Sequence, residues 1–252
     1  MKILVHGVPD TPAMWRPLVQ ALGEDASDVI MPTLPGFGSS IPTGFDCSKE
    51  AYAGWLVAMI GRAEEPVDLV GHDWGALLVV RAACLRADSV RSWAVANALP
   101  EPEYEWHRTA RIWQTPLLGE LFMALSGKSR IANGLQSAGM PADLAREEAS
   151  HWDKRMRRSI LSLYRSARNI ADEWTDDLHH LPKRGLIFWG DDDPFVPVET
   201  AERFSERTGA PLYRNSDTGH WSVVERAEEL AARLKWLWSG DQPGAGRRTP
   251  LI

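Results

Sequence analysis

The chain has 252 residues, with 28 basic against 34 acidic side chains and a formal net charge of −6. Hydrophobic residues make up 44 % and charged residues 25 %, an ordinary globular balance. The mild acidity argues against a nucleic-acid binder that neutralises phosphates, and no apolar run approaches the roughly 18 residues of a membrane span. The apolar stretch in Met1-Lys2-Ile3-Leu4-Val5-His6-Gly7 is too short for a signal peptide, so a cytoplasmic protein is expected. Cys47 and Cys84 are too few for a disulfide framework and read as reduced, buried thiols. One imbalance stands out: 12 Trp against 4 Tyr.

In chain order, a strand at 3–5 precedes an amphipathic helix at 13–22. A strand at 29–31, a helix at 48–63, a strand at 67–70, a helix at 74–86 and a strand at 92–96 follow. The strands are short uninterrupted Val, Ile and Leu runs, the pattern of strands buried on both faces. From 99 to 181 no strand run occurs; this stretch is helical in pattern, rich in Arg, Trp and Met, and far longer than a usual crossover. The alternation resumes with a strand at 186–189, a helix at 198–208, a strand at 212–214 and a helix at 221–238. Repeated strand–helix units imply an α/β fold with a mostly parallel sheet of about six strands flanked by helices. The predicted organisation is a core domain of 1–98 and 182–239, an inserted helical cap at 99–181, and a disordered tail at 240–252.

The strand Val67-Asp68-Leu69-Val70 runs into Gly71-His72-Asp73-Trp74-Gly75 and then a helix. Glycines near both ends of the turn suit a sharp elbow where neighbouring backbones come close. The central Asp73 is thrust out at the C-terminal edge of the sheet, beside N–H groups at a helix start. A carboxylate is ionised at neutral pH and can displace a leaving group from saturated carbon, giving an ester that water must cleave. Helix capping alone is the plainer alternative for Asp73.

The elbow resembles that of α/β-hydrolase-fold epoxide hydrolases and haloalkane dehalogenases. Four further motifs extend the resemblance over most of the chain. His6-Gly7-Val8-Pro9 is similar to the HG-x-P motif, and Leu34-Pro35-Gly36-Phe37-Gly38 to the P-G-[FY]-G loop. The run Trp189-Gly190-Asp191-Asp192-Asp193-Pro194 and the run Thr218-Gly219-His220-Trp221 are similar to the acid and base loops. Set against these families, the chain is expected to lack the strand pair that usually precedes the first motif. The resemblance implies Asp73 as nucleophile, His220 as the base that activates water, and Asp193 as the acid that orients it. Asp191 and Asp192 read as turn residues, and Glu101 is a minor competitor for the acid. The N–H groups of Val8 and Trp74 would form the oxyanion hole, and His6 would prop that loop by hydrogen bonding.

The two families differ in what leaves. An opening epoxide needs an acidic donor, which tyrosines in the cap provide. A halide is held by indole N–H groups and an Asn amide. Val8 stands where the dehalogenase Asn would be and has no side-chain donor. Leu161-Ser162-Leu163-Tyr164-Arg165-Ser166 resembles the epoxide-hydrolase stretch with the ring-opening tyrosine, so Tyr164 is the first candidate donor and Tyr104 the second. Trp106, His107 and Trp221 are candidate substrate-binding residues. Trp106 and His107 could instead hold a small anion, as in fluoroacetate dehalogenases, but those carry Arg where this chain has Trp74. The basic run Lys154-Arg155-Met156-Arg157-Arg158 reads as a solvated helix face, and His179-His180 as a hinge. The expected activity is epoxide hydrolysis to a vicinal diol without metal or organic cofactor. A haloalkane-type dehalogenase and a low-turnover ligand-binding protein are the alternatives. The expected partner is a small apolar organic substrate, with no nucleic acid or membrane, for a monomer or homodimer.

Overall fold

The computed structural model describes residues 1–239; the tail expected at 240–252 lies outside the described residues. Each apolar run becomes a strand: β1 (Lys2–Val5), β2 (Val29–Ile30), β3 (Val67–His72), β4 (Val90–Ala96), β5 (Gly185–Gly190) and β6 (Leu212–Asn215). They form one parallel sheet in the order β2-β1-β3-β4-β5-β6. Parallel neighbours cannot be joined by tight hairpins, so every connection crosses a face of the sheet and covers it. Within the core these connections are α1 (Arg16–Leu22), α2 (Lys49–Ile60) and α3 (Trp74–Leu85). Between β4 and β5 lie α4 (Arg108–Gln114), α5 (Leu118–Leu125), α6 (Lys128–Ser137), α7 (Ala142–Ser150), α8 (Lys154–Ser166) and α9 (Ile170–Trp174). The chain then adds α10 (Val198–Thr208), α11 (Ser222–Glu225) and α12 (Ala227–Ser239). The single helix expected over 221–238 is therefore two, broken at Arg226, whose backbone (φ −122°, ψ 43°) leaves the helical region.

Two apolar layers sandwich the sheet. Leu56, Leu78, Val95 and Phe204 belong to one, and Trp15, Leu18, Leu234 and Leu237 to the other. Much of the tryptophan excess is spent here: Trp15, Trp93, Trp152 and Trp189 are fully buried, with Trp93 Nε1 donating to the Pro182 carbonyl at 2.7 Å. The one acid inside β3, Asp68, is buried but accepts from Ser92 Oγ at 2.6 Å and Arg91 Nε at 3.1 Å. Both cysteines are free and buried, and burial pushes the Cys84 thiol up to about 12.

The strand order places the site. From β1 the chain moves outward to β2, then returns to add β3 on the other side of β1. At such a switch point the loops leaving adjacent strands diverge and open a crevice at the strands' C-terminal ends. The loops after β1 and β3 carry Val8 and Asp73. Contact there is very close: a Cβ on Gly75 would sit 2.0 Å from the Val5 carbonyl oxygen, and one on Gly71 would sit 2.4 Å from the Gly75 oxygen. Both obstacles are backbone, which cannot rotate away. Gly75→Ala is therefore expected to destabilise the fold by about 3 kcal/mol or more, through forced separation of α3 from β1. Thermal unfolding should report a melting temperature lowered by roughly 6–12 °C.

Candidate active site

The elbow is built by the backbone of Asp73, which holds φ 50° and ψ −124° between β3 and α3. Its N–H donates to the Ala96 carbonyl at 2.9 Å and its carbonyl accepts from the Ala76 N–H at 2.8 Å. The carboxylate is thereby turned toward the loop after β1, where Oδ2 accepts the Val8 N–H at 2.8 Å. A Cβ on Gly7 would lie 2.6 Å from Asp73 Cβ, so only glycine lets this loop approach. His6 holds the loop: Nε2 accepts the Leu34 N–H at 3.0 Å, which leaves Nδ1 to donate to the Gly7 carbonyl at 2.8 Å. Burial lowers its pKa to about 4, so the ring is neutral, as this pattern requires.

His220 follows β6 and presents Nε2 to Asp73 Oδ1 at 3.5 Å, while Nδ1 meets Asp193 Oδ2 at 2.7 Å. Burial disfavours the imidazolium, but the charges of Asp193 and Asp73 outweigh it and push the pKa up to about 10. Asp73 responds reciprocally: burial raises its pKa, the His220 partner lowers it, and the net direction is down, with the Trp74 N–H adding to the pull. The Asp193 carboxylate is saturated. Oδ1 accepts from the Phe195 and Val196 N–H groups at 2.8 and 3.1 Å, and Oδ2 also accepts from Asn97 Nδ2 at 2.8 Å. Asn97 is fixed in turn by Ser222 Oγ, which donates to its Oδ1 at 2.7 Å. The other candidate acids make no contact with the His220 ring. Asp191 pairs with Arg214 at 3.0 Å, Asp192 is exposed, and Glu101 pairs with Arg207 at 2.6 Å.

Asp73 and His220 open onto a cavity of about 500 Å³ whose far walls come from the segment between β4 and β5. Its lining is strongly aromatic. Tyr164 packs edge-on to Trp74 and Trp113 with ring centroids 5.3 and 4.8 Å away, and lies 5.5 Å from Trp106. Trp106 in turn stacks on Trp74 at 6.1 Å. Burial and the nearby Asp73 charge hold the Tyr164 phenol well above its ordinary pKa, against a hydrogen-bonding pull from the Trp74 side chain.

Three sequence candidates line this cavity, each with one polar atom engaged in a contact within the protein. Tyr104 Oη donates to the Phe195 carbonyl at 3.3 Å. The His107 Nδ1 accepts the Ala110 N–H at 3.3 Å and caps α4, and burial lowers its pKa to about 4. The Trp221 Nε1 donates to Asp10 Oδ2 at 3.2 Å, away from Asp73. Trp113 and Trp152 also line the cavity and were not singled out from the sequence. Asn97 was passed over as a functional residue as well; its left-handed backbone (φ 59°) directly after a central strand is the local sign that could have marked it.

Comparison with known proteins places the chain in a family. The model of the alpha/beta hydrolase family matches residues 3–233. Epoxide hydrolase A of Mycobacterium tuberculosis is 28 % identical over 94 % of this chain and 90 % of its own length. A haloalkane dehalogenase of Mycolicibacterium paratuberculosis is 30 % identical, but over 43 % of this chain and 40 % of its own. Among solved structures, haloalkane dehalogenase DbeA from Bradyrhizobium elkani superposes with a TM-score of 0.74 at 20 % identity, covering 95 % of this chain and 91 % of that one. A 2-hydroxy-6-oxo-6-phenylhexa-2,4-dienoate hydrolase from Rhodococcus reaches 0.78 at 20 % identity, covering 95 % and 90 %. At that identity the two structures speak for the fold alone. With the family match spanning most of the chain, the protein belongs to the alpha/beta hydrolase family, an enzyme whose relatives include epoxide hydrolases and haloalkane dehalogenases.

Proposed function

We propose that the protein opens an epoxide to a vicinal diol through an ester on Asp73. The observation that carries this reading is that the Tyr164 phenol and the Asp73 carboxylate line one aromatic cavity. Val8, at the position that would hold a dehalogenase Asn, contributes only its backbone N–H. In this reading 1–98 and 182–239 form the core, and 99–181 is a cap that carries the ring-opening donor.

The geometry supports a division of labour between the two oxygens of Asp73. Oδ2 is held by the Val8 N–H, so Oδ1 is the nucleophile. As Oδ1 bonds to a ring carbon, the carbon–oxygen bond of the epoxide breaks and Tyr164 gives its proton to the opening oxygen. A phenol pKa raised by burial means that the ring stays protonated until an alkoxide, a stronger base, develops beside it. The proton on His220 then restores Tyr164. Forming the ester also removes the negative charge on Asp73, one of the two charges that hold the His220 proton. His220 thus becomes a base at the step that requires one. It takes a proton from water, the hydroxide attacks the ester carbonyl, and the oxyanion at Oδ2 is met by the Val8 and Trp74 N–H groups. Collapse releases the diol, and the protons of water restore His220 and complete the second hydroxyl. Asp193 fixes the tautomer throughout. With the Tyr104 proton engaged at Phe195, Tyr164 acts alone as donor.

A haloalkane dehalogenase is the second reading, favoured by the adjacent Trp74 and Trp106 indoles on the same wall. A panel of aryl epoxides and bromoalkanes, scored for diol and for bromide, separates the two. Tyr164→Phe should slow diol formation by about a hundredfold or more while leaving any bromide release nearly untouched; equal losses would remove Tyr164 from ring opening. His220→Gln should accumulate a mass adduct on the peptide containing Asp73 when mixed with a turned-over epoxide. Single turnover in heavy-oxygen water should place the label in Asp73, and a label found in the diol would rule out the ester. Removing a negative neighbour should also lower the His220 pKa. Asp73→Asn is thus expected to make the His220 ring lose its proton at lower pH than in the unaltered protein, followed by NMR titration of the imidazole.

A further inference from the structure

Seven large hydrophobic side chains are exposed among the described residues, and four of them fall within nine positions of one another: Leu117, Leu118, Leu121 and Leu125. On α5 the i, i+4 spacing of Leu121 and Leu125 makes a stripe, Leu118 widens it, and Leu117 caps its N-terminal end. Their exposures are 83, 46, 54 and 66 %, far from those of a core face. Leu117 is held there in a left-handed backbone conformation (φ 66°) that a bulky residue rarely adopts. A stripe of this kind on a helix end is costly in water unless something covers it.

The surroundings say what covers it. The next face of α5, with Glu120, Met123 and Ala124, forms one wall of an open groove, and α8 forms the other with Lys154, Arg157 and Arg158. Arg155 pairs with Asp153 and Arg165 with Glu120, but Lys154, Arg157 and Arg158 have no carboxylate partner among the described residues. The stretch 117–168 holds nine basic and five acidic residues, in a chain whose net charge is −6. With screening lengths near 8 Å, the local positive patch rather than the distant acidic surface governs what approaches this face. A second copy related by a two-fold axis would bring the same three cations against each other, so self-association is opposed by the charges beside the leucines. Leucines flanked by unpaired lysine and arginine are the makings of an interfacial helix.

We infer that the face formed by α5 and α8 docks on the surface of an anionic lipid bilayer, with the leucine stripe inserted at the headgroup boundary and Lys154, Arg157 and Arg158 on lipid phosphates. The basic run is then a binding surface, not merely a solvated helix face, and the protein meets membranes without spanning them. A third face of α5 carries Phe122 into the wall of the Asp73 cavity, so docking sets that cavity against an apolar phase.

Cosedimentation with unilamellar vesicles tests this. Vesicles of phosphatidylcholine with about 30 mol % phosphatidylglycerol should bind the protein at least about tenfold more tightly than phosphatidylcholine alone, and about 0.5 M NaCl should abolish the difference. Arg157→Gln and Arg158→Gln should each weaken binding about fivefold. The double variant Leu121→Ser/Leu125→Ser should weaken it by about tenfold or more. Arg158→Gln and Leu121→Ser/Leu125→Ser should keep the melting temperature of the unaltered protein, since these side chains are exposed, whereas Arg157 also packs over the Trp152 ring. No binding to anionic vesicles at low salt would overturn the inference, as would equal binding to both vesicle types. So would a dimer in solution that Leu121→Ser/Leu125→Ser converts to monomer, since a second copy would then cover the stripe.

Discussion

Everything at the site depends on how closely three stretches of backbone approach at the switch point of the sheet. The Val8 loop can donate to Asp73 only because Gly7 has no side chain, and α3 can start directly above β1 only because Gly75 has none. This crowding fixes the direction of the Asp73 carboxylate before any ligand arrives. A donor already in place costs no reorganisation when negative charge develops on the oxygen it faces. The positive φ of Asp73 is held from both sides, by the Ala96 carbonyl and the Ala76 N–H.

The second organising element is electrostatic. Two carboxylates flank one imidazole, and they are not equivalent. Asp193 is satisfied by two backbone N–H groups and by Asn97, so its charge is permanent. Asp73 is satisfied by backbone on one oxygen and turns the other toward His220 Nε2 at 3.5 Å, and in the proposed reaction its charge is consumed by bond formation. On the proposed mechanism, an imidazole between a fixed and a removable charge has a proton affinity that changes with the state of the reaction. No moving part is needed for this.

Much of this was legible in the sequence because its signals are local. The elbow, the strand runs and the loops around Asp193 and His220 each declare themselves within a few residues. The parallel sheet follows from repeated strand–helix units, whereas the strand order that brings those loops together is seen only in the structure. What could not be read depends on pairs far apart in the chain. Asn97 and Asp193 are 96 positions apart, and nothing near Asn97 names its partner. The Tyr104 hydroxyl is a fitting donor by residue type, and its 3.3 Å contact with the carbonyl of Phe195, 91 positions away, is not readable from its neighbours. His107 reads as a ligand group, and its Nδ1 caps a helix. The leucine stripe on α5 is apolar at helical spacing, which is equally the signature of a buried face; only the packing of α5 against its neighbours decides between them.

One hydrogen bond carries a mechanical consequence. The backbone N–H of His220 donates to the carbonyl of Ala138, in the connection between α6 and α7, at 3.0 Å. The ring of Phe195, whose own N–H binds Asp193, lies 5.0 Å from His107 at the start of α4 and 5.0 Å from His220. The helices that enclose the cavity are thus tied to the same short loops that set the His220 tautomer. A rearrangement that widens the entrance strains those ties, so the timing of ligand admission and the protonation of His220 share one set of springs.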